Sequence, residues 1–271
     1  MKNIVLLGAT GSIGDSCLNV IRQNKEDFHL LGIGLDSNLD KAYKVAKEFR
    51  PEHIFVAQSD FDKSHDLLHS YPNILSTQDE LQGLIQNPSV DIVISAISGF
   101  AGLQASYFAI DAGKTVLIAN KESIVAAGDI LMPLAKTKNS NIIPVDSEHN
   151  AIHQCLPPHR NLSEISKIII TASGGPFREK TFQDLSTVSL QDALKHPTWS
   201  MGTKITIDSA TLVNKCLELI EAHYLFQIPE SQIEIVVHPQ SIIHSMVTFI
   251  DGSTIAQMSN PNMEVPIANA L

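Results

Sequence analysis

The chain has 271 residues, a length that favours two globular domains. Hydrophobic residues make up 44% of it and charged residues 18%, with a net charge of −10, and this composition excludes wholesale disorder. No apolar run approaches the length of about 18 residues that a membrane-spanning helix needs, and no basic stripe is present, so we expect neither a membrane nor a nucleic acid as a partner. The three cysteines fit neither a metal-ligand spacing nor a paired disulfide framework, so we expect a reducing, cytoplasmic compartment.

Short aliphatic strands alternate with helices in the first 145 residues. Strands are predicted over residues 2–7, 30–35, 53–57, 92–95, 115–119 and 142–144, and helices over residues 12–23, 41–49 and 103–112. Because the strands are apolar and helices separate them, we expect an α/β domain in which helices cover both faces of a parallel sheet.

The pattern changes after Asp146. Strands are predicted over residues 165–171, 233–237, 242–249 and 253–258, and one long helix over residues 209–226. Strands that follow one another directly indicate a mixed sheet, so residues 146–271 are expected to form a second, α+β domain. The last residues, 267–271, are apolar and carry no capping signal, which is typical of a truncated chain.

A glycine-rich turn, Gly8-Ala9-Thr10-Gly11-Ser12-Ile13-Gly14, follows the first strand and opens a helix. In this context the first glycine allows a tight turn, the second lets the backbone approach a pyrophosphate, and the third permits close helix–strand packing. The motif predicts dinucleotide binding, with a merely structural turn as the alternative. After the second strand, Asp36 stands where a carboxylate binds a ribose, or where it caps the next helix.

Polar residues also follow the fifth strand, in the segment Asn120-Lys121-Glu122-Ser123. The carboxyl ends of strands in open α/β sheets face the ligand crevice, so this segment is a candidate ligand contact. The alternative is a helix N-terminus capped by Asn120.

Two carboxylates stand two residues apart in the segment Pro144-Val145-Asp146-Ser147-Glu148-His149. Oxygen ligands at this spacing suit a hard cation such as Mg²⁺ or Mn²⁺, and Glu218 on the predicted long helix is available as a third ligand. Two alternatives stay open, a zinc pair formed by His149 and His153, or acidic residues that only stabilise a helix N-terminus.

Small polar groups recur later in the chain, and together they suit a phosphate monoester. These groups are Ser173, His196, Ser209, Asn214 and Lys215. The segment Trp199-Ser200-Met201-Gly202 resembles a flap that Trp199 could close over a ligand. Each of these residues also has an ordinary structural explanation in a turn, a helix cap or the core.

Seven motifs occur in a single order along the chain: GATGSIG, NKES, PVDSEHNAI, ASGGPFR, HPTWSMG, IDSATLVNKCLELIEA and VHPQSIIHSMV. Together they resemble the 1-deoxy-D-xylulose 5-phosphate reductoisomerase family of the non-mevalonate isoprenoid pathway. The resemblance implies a Rossmann-like NADPH-binding domain over residues 1–145 and an α+β catalytic domain with a mixed sheet over residues 146–271. It also implies rearrangement of the phosphorylated sugar followed by hydride transfer, giving 2-C-methyl-D-erythritol 4-phosphate.

The resemblance assigns roles to individual residues. NADPH is expected at Gly8, Thr10, Gly11, Ser12, Ile13, Asp36, Ser37, Asn38, Asn120, Glu122 and Gly202. Mn²⁺ or Mg²⁺ is expected at Asp146, Glu148 and Glu218. The substrate is expected at Lys121, Ser147, Glu148, Ser173, His196, Trp199, Ser209, Asn214, Lys215 and Glu218. Lys121 and Glu148 are the candidates for proton transfer, alongside the other metal ligands.

The chain departs from the family pattern in two places. Members generally continue into a C-terminal helical domain and form homodimers. At the ribose loop, Asp36-Ser37-Asn38 stands where the family often has glycine, a basic residue and asparagine, which should weaken binding of a 2′-phosphate.

Two other functions stay open on the sequence. One is another NAD(P)-dependent aldehyde dehydrogenase, which would need a nucleophilic cysteine such as Cys155 or Cys216. The other is a non-catalytic dinucleotide-sensing domain, which would not need the carboxylates.

Overall fold

The computed structural model describes residues 1–57, 66–71, 73–157, 161–199 and 201–271. The chain divides into two compact units, one of residues 1–145 with 270–271 and one of residues 146–269. Among the described residues, no helix combines the length and the apolar character that crossing a membrane requires.

The first unit is built on a seven-stranded parallel sheet. Its strands are β1 (Lys2–Leu7), β2 (Phe28–Leu35), β3 (His53–Val56), β4 (Ile74–Leu75), β5 (Ile92–Ser95), β6 (Thr115–Ile118) and β7 (Asn141–Pro144). Their order across the sheet is β4-β3-β2-β1-β5-β6-β7, so the winding reverses between β1 and β5. Open sheets of this kind bind ligands at that reversal, beyond the carboxyl ends of the strands.

Helices accompany these strands along the chain. They are α1 (Ser12–Gln23), α2 (Leu39–Phe49), α3 (Asp66–Ser70), α4 (Gln78–Gln86), α5 (Leu103–Asp111) and α6 (Lys121–Lys138). The central strand β1 is fully buried from Ile4 to Leu7, which explains its continuous apolar sequence and confirms the predicted doubly wound α/β architecture. The sequence pattern did not predict β4, α3 or α4, and it indicated α6 only through the alternative of a helix capped by Asn120. For α4 a local signal exists, because Thr77 and Glu80 form a capping box.

The second unit contains a four-stranded mixed sheet, as predicted. Its strands are β8 (Ile165–Ala172), β9 (Ile233–Val237), β10 (Ile243–Phe249) and β11 (Thr254–Met258), in the order β11-β10-β8-β9. Strands β8 and β9 run parallel, whereas β10 is antiparallel to both β8 and β11. The α-helices after Asp146 are α7 (Ser147–Cys155), α8 (Leu190–Ala193), α9 (Thr203–Ala210), α10 (Val213–Phe226) and α11 (Glu264–Ala270).

The prediction of one continuous helix over residues 209–226 is wrong. Helix α9 ends at Ala210, and α10 begins at Val213 after Leu212, whose φ of 61° lies in the left-handed region. A leucine rarely adopts this conformation, and here its N–H donates to the backbone oxygen of Ser209 while its own oxygen accepts the N–H of Lys215. Because of the break, Ser209 lies in the last turn of α9, while Asn214 and Lys215 lie in the first turn of α10.

Candidate active site

Three carboxylates of the second unit meet at the start of α7. Asp146 caps this helix, with its side chain accepting a hydrogen bond from the backbone N–H of Glu148 at 3.2 Å. Glu218 reaches the same place from α10, and the three residues have carboxylate oxygens within 4.8 Å of one another. Hard oxygen ligands in this number and spacing suit Mg²⁺ or Mn²⁺.

Lys215 lies among these carboxylates. Its Nζ is 2.6 Å from Oε1 of Glu148 and 2.5 Å from Oε2 of Glu218. The amide of Asn214 donates a hydrogen bond to the other carboxylate oxygen of Glu218. The ammonium therefore neutralises part of the negative charge of Glu148 and Glu218, two of the carboxylates that would hold a divalent cation.

The balance of these charges shifts the titration of Glu148. Burial and the charge of Glu218 raise the pKa of Glu148 to about 7, although Lys215 opposes the shift. Without a cation, this carboxyl therefore binds its proton more tightly than an ordinary glutamate does.

His149 connects the two helices that carry the carboxylates. Its Nε2 donates a hydrogen bond to the backbone oxygen of Glu218 at 2.8 Å, and its Nδ1 lies 3.2 Å from Asp146 and 3.5 Å from Glu221. Burial alone would lower the pKa of His149, but the charges of Glu221 and Asp146 raise it to about 9. Among the described residues, the clusters able to hold an ion place His149 with carboxylates and do not contain His153, which argues against the zinc pair.

Glu221 was not predicted as a site residue, although α10 carries a local signal for it. Lys215, Glu218 and Glu221 follow one another at three-residue intervals and are buried together with Leu225 and Phe226. Charged residues at this spacing share one face of a helix, and here that face also carries apolar residues. Such a face indicates a buried ionic cluster, which sequence reasoning could have recognised.

A shallow cleft with several polar residues adjoins the carboxylates through Lys215. Its lining consists of Ala172, Ser173, Gly174, Ser209, Leu212, Asn214 and Lys215. Gly175 has a φ of 67°, and a Cβ there would stand 2.6 Å from the backbone oxygen of Ser209, so the glycine turn and the end of α9 pack backbone to backbone. This close packing brings the hydroxyls of Ser173 and Ser209 to one cleft.

His196 hydrogen-bonds to the hydroxyl of Ser173. Its Nδ1 accepts backbone N–H bonds from Thr198 at 3.2 Å and Trp199 at 2.9 Å, so in the neutral ring the proton is on Nε2, which lies 2.9 Å from Oγ of Ser173. Burial lowers the pKa of His196, and the positive charge of Arg178 lowers it further. The neutral ring thus donates to Ser173 and leaves the hydroxyl proton of Ser173 available to an anion.

Two other predicted substrate residues, Ser147 and Trp199, also lie in the second unit. Ser147 Oγ donates a hydrogen bond to Glu148 at 2.6 Å. Trp199 is half-buried, with its ring edge-on to His244 at a centroid distance of 6.0 Å. Ser200, the next residue of the predicted flap, lies outside the described residues, so the flap stays a prediction.

In the first unit, the glycine-rich turn has the geometry of a phosphate-binding loop. Gly8 has a φ of 89°, and a Cβ there would stand 2.4 Å from the backbone oxygen of Ala96, while one at Gly14 would stand 2.5 Å from that of Gly8. At Gly11 a Cβ would be 3.4 Å from its nearest neighbour, so internal packing does not require glycine at this position. Gly11 is the N-cap of helix α1 and has no side chain to cap it, so the N-terminal N–H groups of the helix suit an anion. The remaining predicted residues are Thr10 in the turn and Ser12 and Ile13 at the start of α1.

Asn120 is the N-cap of α6, which confirms the alternative that this segment begins a helix. Its Oδ1 accepts hydrogen bonds from the N–H of Ser123 at 2.7 Å, and its amide donates to the backbone oxygens of Ile97 and Gly99. Lys121 is the first residue of α6 and is buried, and Glu122 follows it. Contacts of these residues with a dinucleotide or a substrate stay predictions.

The ribose loop lies beyond β2. The alternative that Asp36 caps the next helix is wrong, because Asn38 is the cap and accepts the N–H of Lys41 at 3.0 Å. Asp36 and Ser37 are exposed. Gly202, predicted to contact the same cofactor, belongs to the second unit, where it precedes α9.

Two family models match the chain. One, described as 1-deoxy-D-xylulose 5-phosphate reductoisomerase, matches residues 4–128, and one described as the C-terminal domain of that enzyme matches residues 142–226. A 1-deoxy-D-xylulose 5-phosphate reductoisomerase of Bacillus cereus (strain AH187) is 48% identical over 271 residues, covering 100% of this chain and 71% of the relative.

Solved structures give the same result. A crystal structure of DOX-P reductoisomerase in complex with NADPH, fosmidomycin and magnesium has a TM-score of 0.93 and 43% identity, covering 100% of this chain and 69% of that one. The 1-deoxy-D-xylulose 5-phosphate reductoisomerase of Zymomonas mobilis in complex with NADPH has a TM-score of 0.89 and 42% identity, covering 99% and 70%. The chain therefore belongs to the 1-deoxy-D-xylulose 5-phosphate reductoisomerase family.

Proposed function

We propose that the protein converts 1-deoxy-D-xylulose 5-phosphate to 2-C-methyl-D-erythritol 4-phosphate, using NADPH and Mg²⁺ or Mn²⁺. The observation that carries this proposal is the carboxylate trio of Asp146, Glu148 and Glu218, joined through Lys215 to a polar cleft. One end of a phosphorylated sugar would bind in the cleft while its carbonyl end would meet the metal ligands.

The residues present fit both cofactors. Asp146, Glu148 and Glu218 offer only oxygen ligands, and their mutual repulsion favours a divalent cation. The glycine-rich turn leaves space at Gly11 and presents the uncapped start of α1, which suits a pyrophosphate. The chemistry that the cofactors contribute when bound is polarisation of a carbonyl by the metal and donation of hydride by NADPH.

The cleft residues hold the remote end of the substrate. Ser173, Ser209 and Asn214 offer hydrogen bonds to phosphate oxygens, and Lys215 offers charge. His196 keeps Ser173 oriented as a donor. Binding energy from the phosphate fixes the position of the reacting end, which lowers the barrier by reducing the freedom lost in the transition state.

Glu148 carries the proton chemistry in this proposal, together with Lys121. The family's route, which the resemblance implies, breaks and re-forms one carbon–carbon bond of the ketose and then reduces the branched aldehyde. The route requires removal and return of a hydroxyl proton, and we assign this task to Glu148 and Lys121 as the candidate groups for proton transfer.

The two parts of the chain have separate binding roles in this proposal. We assign NADPH binding to residues 1–145 and metal and substrate binding to residues 146–271, and we propose a homodimer for the full-length family member in the cytoplasm. Burial raises the pKa of the Cys155 thiol, which makes it a poor nucleophile and counts against one of the two cysteines that an aldehyde dehydrogenase could use.

The test is NADPH oxidation, followed by absorbance, with 1-deoxy-D-xylulose 5-phosphate as substrate. We expect oxidation with Mg²⁺ or Mn²⁺, none with EDTA, and the branched polyol phosphate as product. A rate that is the same with and without metal would contradict the role of the carboxylates. Binding of NADPH without any turnover would favour the dinucleotide-sensing alternative.

A further inference from the structure

Lys41 connects two turns at the carboxyl edge of the first sheet. It lies in the first turn of α2, directly after the ribose loop, and its side chain extends back to the glycine-rich turn. There Nζ donates hydrogen bonds to the backbone oxygen of Thr10 at 3.0 Å and to Oδ2 of Asp15 at 2.7 Å. The ammonium therefore lies between the turn expected at the ribose and the turn expected at the pyrophosphate.

Three carboxylates stand on the segments around this ammonium. Asp36 follows β2, Asp40 belongs to the first turn of α2, and Asp15 belongs to the first turn of α1. A 2′-phosphate is a dianion, and a carboxylate after the second strand selects instead for the 2′-hydroxyl of NAD. Without a cation, this edge would repel NADPH.

Lys41 has the capacity to bind one more acceptor. An ammonium has three N–H donors, of which Thr10 and Asp15 account for two. The side chain is 31% exposed, so a ligand in the crevice can reach the third. Asp15 holds the ammonium in place and balances its charge when no phosphate is bound.

We propose that Lys41 is the residue that selects NADPH over NADH in this chain, by binding the 2′-phosphate in place of a basic residue in the Asp36–Asn38 loop. The inference rests on the proposed use of NADPH and deepens it. It also explains how a ribose loop with a carboxylate is compatible with a phosphorylated cofactor.

The experiment measures dinucleotide affinity by calorimetry on the complete chain, without substrate or metal and in phosphate-free buffer. The variants are Lys41→Gln, the charge-retaining Lys41→Arg, and Lys44→Gln as control. Lys44 is exposed one turn further along α2, so its substitution removes the same charge from the same helix. A lost hydrogen bond to a charged group at a partly exposed site should weaken binding about tenfold.

We expect Lys41→Gln to weaken NADPH binding about tenfold while NADH binding changes less than about twofold, with Lys41→Arg and Lys44→Gln close to wild type. Equal losses for both dinucleotides would mean that Lys41 only supports the glycine-rich turn, and would overturn the inference. NADPH affinity unchanged in Lys41→Gln would also overturn it while leaving the proposed function intact. Wild-type protein that binds neither dinucleotide would overturn both.

Discussion

Removal of the Lys215 ammonium should destabilise the second unit when no metal is bound. The change Lys215→Met keeps the length of the side chain and removes its charge. Lys215 and Glu218 are buried, with side-chain exposures of 9% and 1%, and Glu148 is 14% exposed. The variant would leave three carboxylates crowded together without the cation that now contacts two of them.

The size of the effect follows from this burial. Removing one partner of a buried ion pair costs about 3–5 kcal/mol of unfolding free energy, and the partial exposure of Glu148 favours the lower end, about 3 kcal/mol at pH 8. The loss should be smaller at pH 6. The pKa of Glu148 is raised to about 7, so the folded protein binds a proton there more tightly than the unfolded chain does. Proton binding at Glu148 therefore adds less to the unfolding free energy as the pH rises from about 4.5 to about 7.

Urea unfolding in EDTA measures this loss. Trp199 is the only tryptophan and lies in the second unit, so its fluorescence reports on that unit. Lys167→Met is the matched control, since Lys167 forms an exposed pair with Glu234 in the same unit, where the cost should be about 0.5 kcal/mol. Saturation with Mg²⁺, at about 100 times its Kd, should return up to about 2.7 kcal/mol to the variant. Equal stability of Lys215→Met and wild type at pH 8 in EDTA would refute the reasoning.

Three other outcomes are expected. Glu218→Gln should abolish metal-dependent turnover and reduce the rise in Tm produced by Mn²⁺, yet leave NADPH affinity unchanged; a fully active variant would show that Glu218 is not a ligand. Mg²⁺ binding should release about one proton at pH 6 and almost none at pH 8, because the metal displaces the proton of Glu148. Calorimetry in buffers of different ionisation enthalpy measures the number of protons released, and a number that does not change with pH would contradict this expectation. Asp36→Gly combined with Ser37→Lys should lower the KM for NADPH and leave that for NADH nearly unchanged, and an equal response of the two would mean that Asp36 does not face the ribose.

Local patterns in the sequence predicted much of the framework. The apolar strands, the glycine-rich turn and the cap at Asn120 depend on residues close together in the chain, where hydrogen-bonding and steric rules act directly. The spacing of Asp146 and Glu148 is local in the same way. Glu218 was available as their third ligand on the predicted long helix, and the resemblance assigned it that role.

Tertiary structure decided how these groups meet. The contact between Lys215 and Glu148 joins residues 67 positions apart, and the bond from His149 to the backbone of Glu218 joins residues 69 positions apart. The break at Leu212 was not predicted either, although the β-branched residues Thr211 and Val213 beside it are weaker helix formers than most of the residues that follow. Burial and long-range pairing determine such features, and they arise only when the whole unit folds, since the energy of a charge or a strained backbone depends on what surrounds it.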